Sequence, residues 1–366
     1  MPALFSTPIE KPFDPAKLKV EVKNTTISQL CEMLKNEIID LQPDFQRHAN
    51  LWLPAKKSRL IESLILGLPI PSFYFYIDSE KKKWVVIDGL QRLCALKDFM
   101  VDKTLRLSGL ELIEPSRTGC AYEDFSYYEQ VDISMRSVTL NIISGDASDE
   151  AKYIIFKRLN SENTSLKPAE IRNALYHGPS MAFVKELADS YEFQEATDKK
   201  VSAKRLMTQD YVSRFLAFYL RGYNDYEDDK MDLFIGGTLT FMNKQYTDAD
   251  YETVREVFNR SLFVCKSLLG SGTFRKPLTE AEKKNKVIGS NPISISLFEA
   301  MMCSVAKLSK KDITTLLSRK YKYQELYEKK MKDSDLVKHL SSGTNKYKSV
   351  VARFSGMEDV VCETLR

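Results

Sequence analysis

The stretch that most constrains the fold runs from Lys83 to Met100. It opens with an unbroken apolar run, Trp84–Ile87, which is rich in β-branched residues and typical of a strand buried on both faces. Asp88-Gly89 then breaks the run, because glycine tolerates backbone angles that are closed to other residues. From Leu90 onward, apolar residues recur at three- and four-residue spacing, which predicts a helix. The sequence therefore predicts a buried strand that passes through a glycine turn directly into a helix.

Such a junction has the chemistry of an anion site. The first N–H groups of a helix have no intrahelical partner, and the helix dipole adds positive potential there, which favours phosphate. Arg92 in the first turn has a planar fork suited to phosphate, and Gln91 adds a neutral donor and acceptor. Asp88 is the predicted N-cap, although it could instead hold a metal ion or orient a water. From these residues alone, a purely structural role is an equally good interpretation.

Five sequence blocks occur in order along the first half of the chain. They are P-D-F-Q-R at 43–47 followed by Trp52, L-I-E-S-L-I-L-G-L-P-I-P at 60–71, D-G-L-Q-R at 88–92, F-K-R-L-N at 156–160 and A-E-I-R-N at 169–173. Together they resemble the GmrSD restriction-endonuclease N-terminal domain family, whose central box reads D-G-Q-Q-R. One difference from that box is Leu90, which stands where the family usually has its first glutamine.

The resemblance implies an α+β fold, in which an N-terminal ParB/sulfiredoxin-like α/β domain is followed by an all-helical domain. The Pro-rich residues 1–16 predict a flexible arm. We expect the ParB-like nucleotide- or phosphate-binding domain over residues 17–165. Residues 166–366, whose patterns are almost all helical, form the expected helical domain.

The resemblance also implies an NTP and Mg²⁺ as cofactors. The catalytic residues that it implies are Asp88, Gln91, Arg92 and Glu62, and Asp88 is also the implied metal ligand. The implied nucleotide- or phosphate-binding residues are Gly89, Leu90, Arg92, Asp44, Gln46, Arg47, Arg158 and Asn160. Leucine can neither donate nor accept a hydrogen bond, so Leu90 leaves open whether hydrolysis occurs.

Several charged and aromatic residues have a simpler explanation beside the functional one. A local salt bridge would account for Asp44 and Arg47, and the functional alternative places Arg47 beside Arg92 on phosphate. A solvated helix face, or alternatively contact with a phosphate backbone, would account for Lys56, Lys57 and Arg59. Partial burial at the surface is favoured over base stacking for Tyr122, Tyr127 and Tyr128.

The family resemblance implies a nucleotide-binding, NTP-hydrolysing sensor or switch subunit of a modification-dependent restriction or antiviral defence system that acts on DNA. Two alternatives remain open, a non-catalytic ParB-like DNA-binding module and a DNA nickase. Relatives carry, or are encoded beside, an H-N-H nuclease, but the three histidines here, His48, His177 and His339, are too far apart to build its centre. The expected partners are therefore DNA and a separate H-N-H nuclease subunit, and a homo-oligomer is possible.

Composition narrows the class of protein without deciding the function. A net charge of +4 and a pI near 8.5 permit nucleic-acid binding but do not argue for it. The six cysteines are scattered without a C-x-x-C pair, which disfavours a zinc knuckle and fits a reducing cytosol. No apolar run approaches the roughly 20 residues of a membrane span, and the N-terminus lacks the apolar core of a signal peptide. We therefore expect a cytoplasmic protein without a membrane segment.

Overall fold

The computed structural model describes residues 19–41, 52–78, 83–144, 153–155, 157–158, 167–176, 178–276 and 292–366. They belong to two compact units, and the chain passes from the first to the second between Leu175 and Tyr176. This point lies a little after the predicted domain boundary at residue 165. The predicted arm over residues 1–16 lies outside the described residues.

A mixed five-stranded sheet forms the centre of the first unit, which confirms the predicted α+β class. The strands are β1 (Lys19–Thr26), β2 (Ile39–Asp40), β3 (Phe73–Asp78), β4 (Lys83–Asp88) and β5 (Ser137–Ser144), in the spatial order β1-β5-β3-β4-β2. β3 and β4 pair antiparallel, as the sequence predicts for a hairpin, whereas β2 runs parallel to β4 and β3 runs parallel to β5. β4 therefore has a partner strand on each side.

The helices of the first unit are α1 (Ile27–Lys35), α2 (Pro54–Ile65), α3 (Leu90–Leu96), α4 (Tyr127–Met135) and α5 (Pro168–Leu175). Local signals determine several of their ends. The sequence predicts Thr26 as the cap of α1, and Thr26 does accept a hydrogen bond from the Gln29 N–H at 3.3 Å. The sequence also predicts that Gly67 ends α2, and Gly67 follows that helix with φ 71°.

Strands and helices both contribute side chains to the core of this unit. Phe73 and Phe75 of β3 are fully buried there, together with Leu93 and Leu96 of α3. Burial of each such side chain stabilises the fold by about 1.5–3 kcal/mol. Val86 of β4 belongs to the same core as Leu93 of α3, so the turn between β4 and α3 is held on both sides.

One segment of the first unit differs from the sequence prediction. The pattern from Ile133 to Ile143 predicts a strand, but α4 continues to Met135 and β5 begins only at Ser137. The reason is a capping box at the start of α4, in which Glu129 accepts from the Ser126 N–H at 2.8 Å and Ser126 accepts from the Glu129 N–H at 3.4 Å. This local signal, S-Y-Y-E, outweighs the alternation that follows.

The second unit is helical, as predicted. Its helices are α6 (Pro179–Asp189), α7 (Tyr191–Ala196), α8 (Met207–Arg221), α9 (Met231–Gln245), α10 (Asp248–Leu269), α11 (Ile295–Ala306), α12 (Lys310–Ser318), α13 (Lys320–Lys330), α14 (Ser334–His339) and α15 (Tyr347–Leu365). The sequence predicts one helix over Asp312–Tyr327, but the chain breaks at Arg319, whose guanidinium donates to the carbonyls of Thr364 at 2.9 Å and Leu365 at 2.7 Å. Across the described ranges, none of the helices combines the length and the apolar character that crossing a membrane requires.

Candidate phosphate-binding site

The turn between β4 and α3 depends on Gly89. Its backbone lies in the left-handed region, at φ 101° and ψ 5°, where residues with a side chain are disfavoured. A Cβ at this position would come within 2.5 Å of Phe73 Cδ1. Gly89 is also the N-cap of α3, so the prediction of Asp88 as N-cap is wrong, because the helix begins one residue later. In the part of the chain that the structure describes, no side chain caps this helix, and the N-terminus of a helix favours a bound anion.

The guanidinium of Arg92 makes its contacts within the protein. Nη2 donates to Asp88 Oδ2 at 2.7 Å, and Nη1 donates to the carbonyls of Pro71 and, at 3.2 Å, Ser72. The group also lies 4.9 Å from the centre of the Phe73 ring, and the residue is only 8% exposed. Burial lowers the pKa of Arg92, and the neighbouring Asp88 opposes this shift. Arg92 is thus a positioning residue that ties the start of β3 to the end of β4, not an open fork for phosphate.

The role of Asp88 follows from the same contacts. Its Oδ2 is taken by Arg92, with which it forms an ion pair. In the part of the chain that the structure describes, no group of three or more His, Cys, Asp or Glu side chains could hold a metal ion. Mg²⁺ beside a nucleotide usually needs only one or two carboxylates in addition to the phosphates, so the predicted metal-binding role of Asp88 stays a prediction.

Glu62 of α2 has a structural role. Its Oε1 accepts hydrogen bonds from the backbone N–H groups of Glu111, Leu112 and Ile113, at 2.8, 2.6 and 3.0 Å. Burial favours a raised pKa, but these three donors and the nearby Arg59 outweigh it, so the pKa of Glu62 lies below its usual value. The carboxylate anchors residues 111–113, and the geometry offers no support for the predicted catalytic role.

The two remaining residues of the box point to different environments. Leu90 is half-buried and packs against the core of the first unit. Gln91 Oε1 accepts a hydrogen bond from the Trp52 N–H at 3.1 Å, which joins the junction to the segment just before α2. Packing therefore explains a leucine at position 90, whereas Gln91 lies at the partly exposed side of the turn.

Trp52 and Lys56 form part of the same site, although the sequence interpretation gives neither a leading role. Lys56 is exposed, and its Nζ lies 4.7 Å from the centre of the Trp52 ring. Trp52 Nε1 is buried and has no hydrogen-bond acceptor among the described residues. The available signals are the position of Trp52 after the P-D-F-Q-R block and a lysine in the first turn of α2.

Lys57 differs sharply from its neighbour. It is 5% exposed and pairs with Asp98, in the π-helical turn Lys97–Val101 that continues α3. The predicted solvated face of α2 is therefore wrong at this residue, because α2 packs its Lys57 side against the extension of α3. Among the described residues, Lys56 remains an exposed cation next to Trp52.

Comparison with protein families now gives the context of this site. Residues 27–177 match the model of a family described as GmrSD restriction endonuclease, N-terminal domain. This part of the chain is a domain of that family. The match confirms the family predicted from the sequence blocks and associates the domain with restriction systems. Comparisons with curated proteins and with solved structures give no match, so the likeness to ParB and sulfiredoxin stays a prediction.

Several predicted ligands of the GmrSD domain cannot be placed. Asp44, Gln46, Arg47 and Asn160 lie outside the described residues. Arg158 is described and exposed, but the residues that follow it are not described. The binding roles of these five residues stay predictions.

Chemically, the described part of the GmrSD site is suited to bind an anion. It combines the N-terminus of α3, the buried donor Trp52 Nε1 and the exposed cation Lys56. The charge of Asp88 is balanced by Arg92, so it does not repel a phosphate strongly. The arrangement offers donors and charge around one turn of backbone.

Proposed function

We propose that the GmrSD domain binds the phosphates of a nucleoside triphosphate at the β4–α3 junction, as the sensing subunit of a restriction system that acts on modified DNA. The observation that carries this proposal is the geometry of Gly89. Its left-handed conformation turns the end of β4 directly into α3 and leaves the helix N-terminus without a side-chain cap. A strand that leads through glycine into a helix is a recurrent way to bind phosphate.

Each residue of the junction has a part in this proposal. Gly89 allows a phosphate to approach the backbone closely. Arg92 holds Asp88 and the carbonyls of Pro71 and Ser72 in place, so that the turn is formed before the ligand arrives. Lys56 supplies the exposed charge, and Gln91 keeps Trp52, and with it Lys56, beside the turn.

Binding with slow turnover fits these residues better than rapid hydrolysis. Phosphoryl transfer needs charge stabilisation together with a group that positions the attacking water. Leu90 packs on the core and has no polar atom with which to do so. This observation favours the second candidate function, a phosphate-binding module without chemistry, in which the same site binds the backbone phosphates of DNA.

Calorimetric titration distinguishes the nucleotide sensor from the DNA-binding module. The full chain is titrated calorimetrically with ATP, GTP, CTP and UTP in turn, and phosphate release is followed at saturating nucleotide. We expect saturable binding of at least one NTP with phosphate release close to background. The same titration in the presence of a DNA duplex tests whether the two ligands compete.

The outcomes separate the proposals clearly. DNA binding without any binding of NTP would replace the nucleotide sensor by the DNA-binding module. Rapid phosphate release would show that a residue other than Leu90 positions the water. If neither an NTP nor DNA bound, the proposed function would be wrong. DNA as the substrate of the system, and a separate H-N-H nuclease subunit as the partner, are further parts of the proposal that rest on the family.

A further inference from the structure

A groove in the helical unit lies between α7 and α10. It has a volume of about 290 Å³, near the lower end of ligand-binding pockets. Ala196 and Leu262 form its apolar floor and are buried, whereas Tyr191 and Phe263 border it. These two aromatic residues are 73% and 65% exposed. Large aromatic side chains beside an apolar groove are characteristic of the centres of protein interfaces.

One of the polar groups that line this groove is the amide of Asn259. Asn259 lines the groove, and its Oδ1 is buried without a hydrogen-bond donor within the described chain. A primary amide carries one acceptor and one donor group, the same pair that a peptide backbone presents. Because burying an unsatisfied polar atom is costly, a bound backbone would satisfy Asn259 where the protein itself does not.

The charge around the groove is acidic. Glu192 and Glu195 project from α7 and are exposed, and Glu256 lies one helical turn before Asn259 on α10. The one basic residue of the lining, Lys266, is already paired, since its Nζ lies 2.5 Å from Asp198 Oδ1. The groove therefore attracts positive charge, and the described residues that line it include no unpaired cation that would repel it.

We propose that this groove binds an extended segment of a partner protein, in which a large apolar side chain is flanked by lysine or arginine. The apolar side chain packs on Leu262 between Tyr191 and Phe263. Asn259 pairs with the backbone of the segment, and Glu192 and Glu195 receive its basic side chains. This binding site lies in the helical unit and does not depend on the proposed nucleotide site.

Selection from random peptides tests the proposal and requires no named partner. Random decapeptides displayed on phage are selected in parallel on the full chain and on the double variant Asn259→Ala/Phe263→Ala. We expect the wild type to enrich peptides with an apolar residue next to lysine or arginine, and the double variant to enrich none of them. Thermal unfolding of both proteins shows that the double variant is folded.

The best enriched peptide, labelled with a fluorophore, is then the probe for affinity. Phe263→Ala and the charge reversal Glu192→Lys/Glu195→Lys should each weaken its binding about tenfold or more. Matched controls are Tyr321→Ala and Glu325→Lys/Glu328→Lys, which change residues of α13 outside the groove and should leave the affinity within about twofold.

Three results would overturn the proposal. The first is a selection in which no enriched peptide distinguishes the wild type from the double variant. Enriched peptides without basic residues would contradict the charge argument. A dimer in sedimentation that Phe263→Ala abolishes would assign the groove to a second copy of the chain.

Discussion

At the residue scale, Gly89 carries two separate constraints, one on its backbone angles and one on the space beside it. Gly119 also has a positive φ, 89°, but a Cβ there would meet nothing within 4 Å. A substitution at Gly119 therefore introduces backbone strain without steric overlap, which makes it a control for Gly89. The close approach of Gly89 to Phe73 comes from the packing of β3 against the turn and cannot be predicted from the local sequence.

We predict that Gly89→Ala lowers the free energy of unfolding by about 2–5 kcal/mol, from strain and overpacking together. Gly119→Ala should cost only the strain, about 1–2 kcal/mol. Urea denaturation of the two variants measures the difference. Equal losses would mean that the contact with Phe73 does not constrain position 89.

Glu62 gives a prediction on pH. Its pKa is lowered in the folded state, so its ionised form stabilises the fold above the unfolded pKa of about 4.3, and this stabilisation is lost as the pH falls through the folded pKa. Glu62→Gln keeps an acceptor but removes the charge. It should cost about 1–3 kcal/mol at pH 7, and the difference from wild type should shrink below about pH 4.

Denaturation at a series of pH values measures this difference. Glu111→Gln is the control, because Glu111 lies in the segment that Glu62 holds but is exposed, and its substitution should cost less than about 0.5 kcal/mol at pH 7. A loss for Glu62→Gln that is independent of pH would contradict the role of its charge.

At the scale of elements, the sequence predicts those ends that short-range signals determine. Thr26 and Gly67 mark their helices correctly because capping involves only neighbouring residues. The break at Arg319 is not predictable in this way, because it depends on carbonyls at the end of the chain, at Thr364 and Leu365. The burial of Lys57 escapes prediction for the same reason, since its partner Asp98 belongs to another element.

The adjacent lysines of α2 yield the element-scale prediction. Lys57→Ala leaves Asp98 without its partner between α2 and the extension of α3, and should cost about 2–4 kcal/mol. Lys56→Ala removes only an exposed cation above Trp52, and should change stability by less than about 1 kcal/mol. Urea denaturation compares the two variants. Similar losses for both would contradict the assignment of Lys57 to the interior.

At the scale of the whole molecule, the class of fold and the site junction are predictable, but the use of Arg92 is not. The order of the five blocks indicates the family, and the strand–glycine–helix pattern predicts the junction. The carbonyls of Pro71 and Ser72 lie far from Arg92 in sequence, and only the fold brings them to its guanidinium. A surface arginine and a buried positioning arginine look the same in the sequence.

The two units also allow a prediction from spectroscopy. Both tryptophans, Trp52 and Trp84, belong to the first unit, whereas most of the helices belong to the second. Because each unit has its own core, we expect Gly89→Ala to lower the melting temperature seen by tryptophan fluorescence more than the one seen by far-UV circular dichroism. One transition that shifts equally by both probes would show that the units unfold together.

The central claim is that the β4–α3 junction, together with Lys56, binds the phosphates of a nucleotide. Calorimetric titration with the NTP that binds the wild type tests it most directly, on wild type, Lys56→Ala and the exposed control Lys35→Ala of α1. Loss of one charge-assisted contact should weaken binding by Lys56→Ala about ten- to a hundredfold, while Lys35→Ala binds like the wild type. Equal affinity of Lys56→Ala and the wild type would contradict the claim.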